Sequence, residues 1–555
     1  MPTGALIQLN AYGAQNQYLN GNPQFTYFRG VFRRHTNFSM ELIELTFTGP
    51  NELSQLNPIR ISTNIDRNGD LASHMYFLFD LPDIYSGYNP NVSFENIEKS
   101  GYKFRWINSI GTNIINLCRL SIGGQIINDL YGEWIRIWHE LFSNVSMRNF
   151  DQMIGNIPDL FTPENTTASA GVYPTSTLSP EYSNDPELFT SSQYISNPYL
   201  KPPSISGRTI TVPLNFWFTQ NPGLALPLIA LQYHTVVVDI ELKPLASIYT
   251  INDNDESSLT FGQRIVPDAT KPAHSINNFI THIPADTFVY GQDFSALNTP
   301  YSGWGLHPRL QVNYIFLDED ERKRFADVSH EYLIEQVIRQ DFIGITGNYT
   351  LKLNLQNPVK EMVWMATRSD FEDSNIYGNY TNWPISTVSP GSLSYVRNEV
   401  GETQVTYVRN LPVVLDTAYQ AYQSSTILTK FNQPLYKQFP ISQATLWFNG
   451  QERFETRNAD YFQNLQVYQN TLPNWYEGVQ IYSFALDPMK YQPSGACNMS
   501  RVHDVELRIS LTPVTFTVLA NGDTAANYNY NVYVYSVNYN IFRILSGMGG
   551  LAFTS

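Results

Sequence analysis

Val505-Glu506-Leu507-Arg508-Ile509-Ser510-Leu511 alternates strictly, with four aliphatic residues on one side and Glu, Arg and Ser on the other. Successive side chains of an extended strand point to opposite faces, so this pattern describes a strand with one buried and one wet face. Leu351, Leu353 and Leu355 alternate in the same way with Lys352, Asn354 and Gln356, and Ile43, Leu45 and Phe47 with Glu44, Thr46 and Thr48. The 33 prolines and 32 glycines punctuate such runs throughout, as the turns of an antiparallel protein require. Helical spacing is rare. Leu130, Trp134, Ile137, Trp138 and Leu141 predict an amphipathic helix over 129–142, and one or two more are expected within 318–337. The class is mainly β, with short helices inserted in loops.

The same strand belongs to an internal repeat. Asp504-Val505-Glu506-Leu507 matches Asp239-Ile240-Glu241-Leu242, and Gly450-Gln451 upstream of the one matches Gly124-Gln125 upstream of the other. In both halves a helix and then an aromatic strand are expected between: Phe216-Trp217-Phe218 in the first, Ile481 to Phe484 in the second, the latter after a helix around Tyr461-Phe462. The interval is 114 positions in the first half and 53 in the second, which one insertion of 61 accounts for. Ser143 to Gly207, rich in Pro, Ser, Thr, Asn and Tyr, has the composition for it and is expected on the outer surface. Two similar β-domains follow, with a junction between Lys243 and Trp304.

Composition narrows the function. A chain of 555 residues exceeds one ordinary core and suggests two to four domains. Charged residues are only 15%, against roughly 25% in soluble proteins, and Asn, Gln, Ser, Thr and Tyr carry the polarity instead, which suits large uncharged contact surfaces. The formal net charge is -15, the wrong sign for displacing counterions from nucleic-acid phosphates. Arg322-Lys323-Arg324 follows directly on Asp318-Glu319-Asp320-Glu321, and helical spacing pairs Asp318 with Arg322, Glu319 with Lys323 and Asp320 with Arg324. Two distant cysteines, Cys118 and Cys497, fit a reducing compartment better than a secreted scaffold. The N-terminus lacks the charged and apolar regions of a signal peptide, and no run of 18 apolar residues occurs. Release into the cytoplasm is expected, where sequons at Asn37, Asn91, Asn144, Asn165, Asn348, Asn379 and Asn498 go unread by the secretory machinery.

Motifs of chemistry are missing or imperfect. There is no His-Glu-x-x-His, no cysteine pair for zinc, no phosphate-binding Gly-x4-Gly-Lys-Ser/Thr and no Gly-x-Ser-x-Gly elbow. Asp66-Arg67-Asn68-Gly69-Asp70 begins like a calcium loop, but Leu71 and Phe77 occupy the positions of its Gly and Glu, so a turn between strands is expected. Gly547-Met548-Gly549-Gly550 reads as a flexible tail rather than a phosphate loop, and His35 beside Arg33 and Arg34 as a surface loop histidine. Asp239 with Glu241 has the look of a glycosidase pair, yet its recurrence as Asp504 and Glu506 favours a shared structural role. No catalytic, cofactor-binding or metal-ligating residue is assigned.

One resemblance joins these features. Gly4-Ala5-Leu6-Ile7-Gln8-Leu9, Ala11-Tyr12-Gly13-Ala14-Gln15, Gly21-Asn22-Pro23-Gln24-Phe25-Thr26-Tyr27-Phe28 and Arg33-Arg34-His35-Thr36-Asn37-Phe38 resemble the N-terminus of the major capsid proteins of nucleocytoplasmic large DNA viruses. Asn221-Pro222-Gly223-Leu224 through Gln232-Tyr233, Tyr482-Ser483-Phe484-Ala485-Leu486, Gln492-Pro493-Ser494-Gly495, Val537-Asn538-Tyr539-Asn540 and Ser546 to Ala552 are similar to later motifs of that family, in its order. Segments 143–207, 246–299 and 377–426 match least and read as variable loops. The resemblance implies two consecutive eight-stranded antiparallel jelly rolls in one chain. The expected division is an N-terminal arm over 1–24, a first jelly roll over 25–245, a connection over 246–299, a second jelly roll over 300–545 and a tail over 546–555. It also implies a structural shell subunit without cofactors, forming homotrimeric capsomers in a virion capsid assembled in the host cytoplasm. Expected partners are neighbouring capsomers, minor capsid proteins beneath the shell and an internal membrane touched by the arm, without direct nucleic-acid binding. Two other classes compete: a minor vertex or spike protein of the same fold, and a carbohydrate-binding or carbohydrate-cleaving β-sandwich.

Overall fold

The computed structural model describes residues 3–30, 32–84, 86, 102–161, 163, 203–252, 264–280, 304–382, 396–397, 403–404, 439–513, 516–518, 524–526 and 528–553. Among them the alternating runs are strands. The first sandwich is built from β1 (Phe38–Thr46), β2 (Ile59–Ile65), β3 (Leu71–Leu81), β4 (Ile115–Ile122), β5 (Gln125–Leu130), β6 (Arg208–Pro213), β7 (Val236–Leu242) and β8 (Arg309–Leu317). They form two antiparallel sheets, ordered β1-β8-β3-β6 and β2-β7-β4-β5. The second sandwich uses β9 (His330–Ile345), β10 (Asn348–Leu353), β11 (Pro358–Arg368), β12 (Ile441–Phe448), β13 (Gln451–Glu452), β14 (Gln480–Ser483), β15 (Val505–Leu511) and β16 (Tyr530–Leu545). Its sheets run β9-β16-β11-β14 and β10-β15-β12-β13. Adding eight to each label of the first sandwich reproduces the second. This shared order is the double jelly roll, and the repeated Asp-x-Glu-Leu sits on the equivalent strands β7 and β15.

The domain boundary differs from the expected one. β8 lies between β1 and β3, so the strand placed by sequence in the second roll is the last strand of the first. The division falls after Leu317, at a helix (Glu319–Asp327) and not within 246–299. Part of that supposed connection is core: Tyr249–Asn252 pairs with Lys103–Trp106, and Ile276, Phe279 and Ile280 are buried. Periodicity misled here because β8 and its own sheet are separated in sequence by a long excursion.

Helices are short, as expected, with three local differences. The helix Gly132–Phe142 is present. Residues 330–337, expected to continue a helix, open strand β9 instead; Tyr332, Ile334 and Val337 favour a pleated surface. Phe216-Trp217-Phe218, read as a strand, enters a tight turn over Trp217–Thr219. The insertion 143–207 does not lie wholly at the surface, because helix Met147–Ile154 and the turn Pro158–Phe161 bury Phe150, Ile154, Ile157 and Leu160. Most of its remainder, like most of 377–426 and the sequons at Asn91 and Asn165, lies outside the described residues.

Those two helices carry a titratable contact. His139 on Gly132–Phe142 is buried and stacks on Phe150 of Met147–Ile154, ring centroids 3.9 Å apart. Burial, assisted by the neighbouring Arg136 guanidinium, holds its imidazole down to about 4. The unfolded chain therefore takes up this proton before the folded one does, and the contribution is complete above the ordinary histidine range. Stability should fall by on the order of 3 kcal/mol as pH drops from about 6.5 to about 4. Chemical denaturation at several pH values checks this: His139→Leu should flatten the slope in that window, and an unchanged slope would refute the assignment.

Candidate functional site

The strands that join the two rolls carry apolar groups on both faces. In β16, Tyr530, Val532 and Val534 pack in the core of the second sandwich, while Tyr533, Tyr535 and Val537 join the core of the first. β11 divides likewise, Met362, Trp364 and Ala366 inward and Val363 and Met365 toward the neighbour. Simple alternation disappears from such a strand because neither face meets water. The second roll is thus fused to the first through a continuous hydrophobic seam.

Polar groups fix the register of that seam. Glu133, at the start of Gly132–Phe142, accepts hydrogen bonds from the Tyr380 hydroxyl at 2.7 Å and the Tyr535 hydroxyl at 2.8 Å. Burial, and then the Glu133 carboxylate, raise both phenols well above their ordinary value, so both remain donors. Trp134 stacks on Tyr535 at 5.0 Å. The Arg339 guanidinium lies 5.0 Å from the Tyr131 ring and 4.6 Å from that of Tyr533, and pairs with Asp341 at 2.6 Å. Lys243 Nζ sits 3.9 Å over the Tyr377 ring, and burial pushes it down to about 8. Asn375 Nδ2 donates to the carbonyls of Ala246 and Tyr249.

The glycine-rich end is part of this seam and not a loose tail. Met548–Leu551 pairs with the end of β16 and meets the first roll: Tyr233 N donates to Gly547 O at 3.0 Å, and Leu551 N to Gln125 Oε1 at 3.3 Å. Gly547 has φ +82° and Gly549 lies where a Cβ would come within 2.7 Å of Leu231 and Phe542. Close approach explains these glycines.

The other residues singled out in sequence are held by local structure. Glu241 pairs with Arg60 at 2.7 Å and accepts from Asn116 at 2.6 Å, while Arg119, opposite Asp239, binds Asp129 at 2.8 Å. In the second roll Glu506 pairs with Arg508 at 2.8 Å. These carboxylates lie on ion-paired sheet faces. In the helix Glu319–Asp327, Glu319 pairs with Lys323 at 2.9 Å as expected, but Asp318 caps the helix by accepting from Glu319 N, and Arg322 reaches Asp70 at 2.9 Å instead. Asp70 also accepts from Leu317 N, and Arg67 donates to the Leu231 and Gln232 carbonyls. The Asp66–Asp70 turn thus locks the inter-roll helix. Cys118 is buried and its thiol is raised by burial; Cys497 is partly exposed, and both are free thiols. His35 is exposed and, among the described residues, contacts its own segment through Thr36 O and the Phe38 ring.

Two exposed surfaces remain apolar. Thr3–Asn10 is a helix, favoured by its Ala and Leu residues, with Leu6, Ile7 and Leu9 exposed by 52%, 68% and 77%. The arm continues through exposed Tyr18, Leu19, Phe25, Tyr27 and Phe28, and among the described residues its hydrogen bonds are local. β1 is an edge strand whose Phe38, Met40 and Leu42 also face outward. Single exposed apolar residues are ordinary, but a contiguous run marks a surface meant to be covered. Sequence reading found the arm and missed the seam, whose signal was the unbroken apolar and tyrosine content of β16.

Comparison with known proteins agrees with this architecture. Residues 26–318 match the family model for the major capsid protein N-terminus, and 321–550 that for the large eukaryotic DNA virus major capsid protein. The chain is 32% identical to the major capsid protein of Phaeocystis pouchetii virus over the full length of both. The crystal structure of PBCV-1 VP54, fitted into a reconstruction of the virophage Sputnik, superposes with a TM-score of 0.60 at 26% identity, covering 96% of this chain and 100% of that one. The Faustovirus major capsid protein shares the fold, with a TM-score of 0.57 at 11% identity over 98% and 96% of the two chains. The carbohydrate-cleaving reading is thereby replaced: the chain belongs to the major capsid proteins of the large eukaryotic DNA viruses, a family of structural and not enzymatic proteins.

Proposed function

We propose that three copies of this chain form one capsomer and that such capsomers tile an icosahedral shell. The observation that carries the proposal is the pair of jelly rolls with one strand order fused side by side. A threefold axis acting on such a pair gives six similar sandwiches in a ring, which a twofold axis cannot do. Low charge and abundant Tyr, Phe and Asn suit interfaces that are apolar at the centre and hydrogen-bonded around it. Obligate interfaces bury on the order of 2,000 Å² or more, so the free monomer is unstable toward association. Weaker contacts between capsomers then let the growing shell correct errors.

The arm supports a further element of this reading. Its exposed Leu6, Ile7, Leu9 and aromatic residues are covered, in this proposal, at the inner base of the capsomer by minor capsid proteins or by a membrane beneath the shell. No helix among the described residues is long and apolar enough to cross a membrane, so such contact would lie along a surface. The net charge of -15 argues against direct binding of the genome. Assembly takes place in the host cytoplasm, where the two free thiols stay reduced.

Light scattering of the soluble protein should give about three times the 63.4 kDa chain mass. A stable monomer at micromolar concentration, with nothing larger, would overturn the capsomer. Deletion of residues 1–24 should leave the trimer folded and lower the yield of closed shells; normal particle yield would remove the arm from assembly.

A further inference from the structure

The seam within the chain implies a second one between chains. Inside the chain the first roll offers the helix Gly132–Phe142, which follows β5, and the second roll receives it on the outer face of β9, β16 and β11. Glu133 and Trp134 of that helix meet Tyr535 of β16, and Tyr131 at its start meets Arg339 of β9. Strand order gives each participant a counterpart. β1, β8 and β3 are the first-roll equivalents of β9, β16 and β11. The second-roll equivalent of the helix is the helical segment Tyr461–Leu465 with Gln466–Gln469, which lies between β13 and β14 as Gly132–Phe142 lies between β5 and β6.

Both counterparts present apolar groups to solvent. β8 fills the inner core of the first roll with Leu310, Val312 and Tyr314. Beside it β1 turns Phe38, Met40 and Leu42 outward, opposite Leu317, Ile315 and Asn313 of β8. On the helical segment, Leu465 and Tyr468 are three residues apart and share one face, and both are exposed. Tyr468 is 82% exposed, whereas Trp134 on the equivalent helix, covered by the second roll, is 1% exposed. Trp475, just beyond the segment, is exposed as well. Scattered exposed apolar residues are ordinary. These stand on the two surfaces whose equivalents are buried against each other in the internal seam.

We propose that the two surfaces meet between copies: Tyr461–Gln469 of one chain packs on the outer face of β1 and β8 of the next, as Gly132–Phe142 packs on β9 and β16 within each chain. This rests on the capsomer reading and names the surfaces that hold the capsomer together. The occupant is a second copy and not a foreign protein, because the surface has a built partner of the same topology within the same chain. The contact joins the second roll of one copy to the first roll of another. Being heterologous, it propagates in one direction and closes into a ring after three chains. Internal and external seams then alternate around six rolls. Exposed Tyr, Trp, Phe and Met are the side chains that such interfaces concentrate at their centres.

The test uses the full-length chain carrying Cys497→Ser, since Cys497 is partly exposed and Cys118 is buried. Met40→Cys and Tyr468→Cys are introduced together and the protein is treated with a bifunctional maleimide. Denaturing electrophoresis should show bands of two and three linked chains. Each single-cysteine variant should run as one chain, because a heterologous contact does not bring like residues together. Met40→Asp, a change at an exposed position, should raise the concentration at which trimers dissociate by about tenfold or more. Light scattering of the same samples separates two kinds of failure. Monomers throughout, before any substitution at Met40 or Tyr468, would overturn the capsomer and this contact with it. Trimers that yield no linked chains, or that Met40→Asp leaves as stable as before, would overturn the contact alone and assign the β1 face to the arm or to a minor capsid protein. Linked chains from either single-cysteine variant would overturn it in favour of a twofold contact.

Discussion

Glu133 takes the hydroxyls of Tyr380 and Tyr535 from the opposite roll, and the remaining architecture depends on that contact and the seam around it. Two sandwiches joined by a short helix would ordinarily move as separate bodies. Here β11 and β16 bury side chains on both faces, so separating the rolls exposes Tyr535, Val537, Val363 and Met365 at once. The hydrophobic area supplies the energy. The carboxylate and the Arg339 stack supply the alignment, because a buried phenol displaced from its acceptor is left unpaired. A shell subunit needs this combination, since an angle between rolls that varied from copy to copy would not tile a plane.

The seam also explains why the two halves, alike in strand order, are unlike in detail. β9 and β16 are each 16 residues long, against nine for their counterparts β1 and β8. The extra length carries the second roll's sheet across the first, and the hairpin ending in Met548–Leu551 closes that extension onto Tyr233, His234 and Gln125. Long connections follow β5 and β7 in the first roll but β11 in the second. The pseudo-symmetry is therefore one of topology, with separate solutions for packing.

Much of this was legible in the sequence, and the exceptions share a cause. Strands with one wet face, such as Val505–Leu511 and Ile43 to Phe47, declared themselves by period two, and the repeated Asp-x-Glu-Leu located two equivalent strands. β8 alternates as well, with Leu310, Val312 and Tyr314 buried, yet nothing local tells a strand which sheet it joins. Pairing with β1, whose partner residues lie some 270 positions away, is a property of chain topology. β16 gave no period because both of its faces are buried, and the glycines at 547–550 looked flexible because close packing against another segment leaves no local mark. Arg322 illustrates the same limit: helical spacing offered Asp318, but the buried Asp70 turn, distant in sequence, holds it.

The central claim, that a rigid pair of jelly rolls becomes a six-membered ring through threefold symmetry, is tested most directly by electron microscopy of the purified protein. Class averages should show a roughly hexagonal particle with six lobes of density and threefold symmetry, every adjacent pair of rolls from one chain fixed at a single angle. Two-lobed single chains, or rings in which the two rolls of a chain take variable angles, would contradict it.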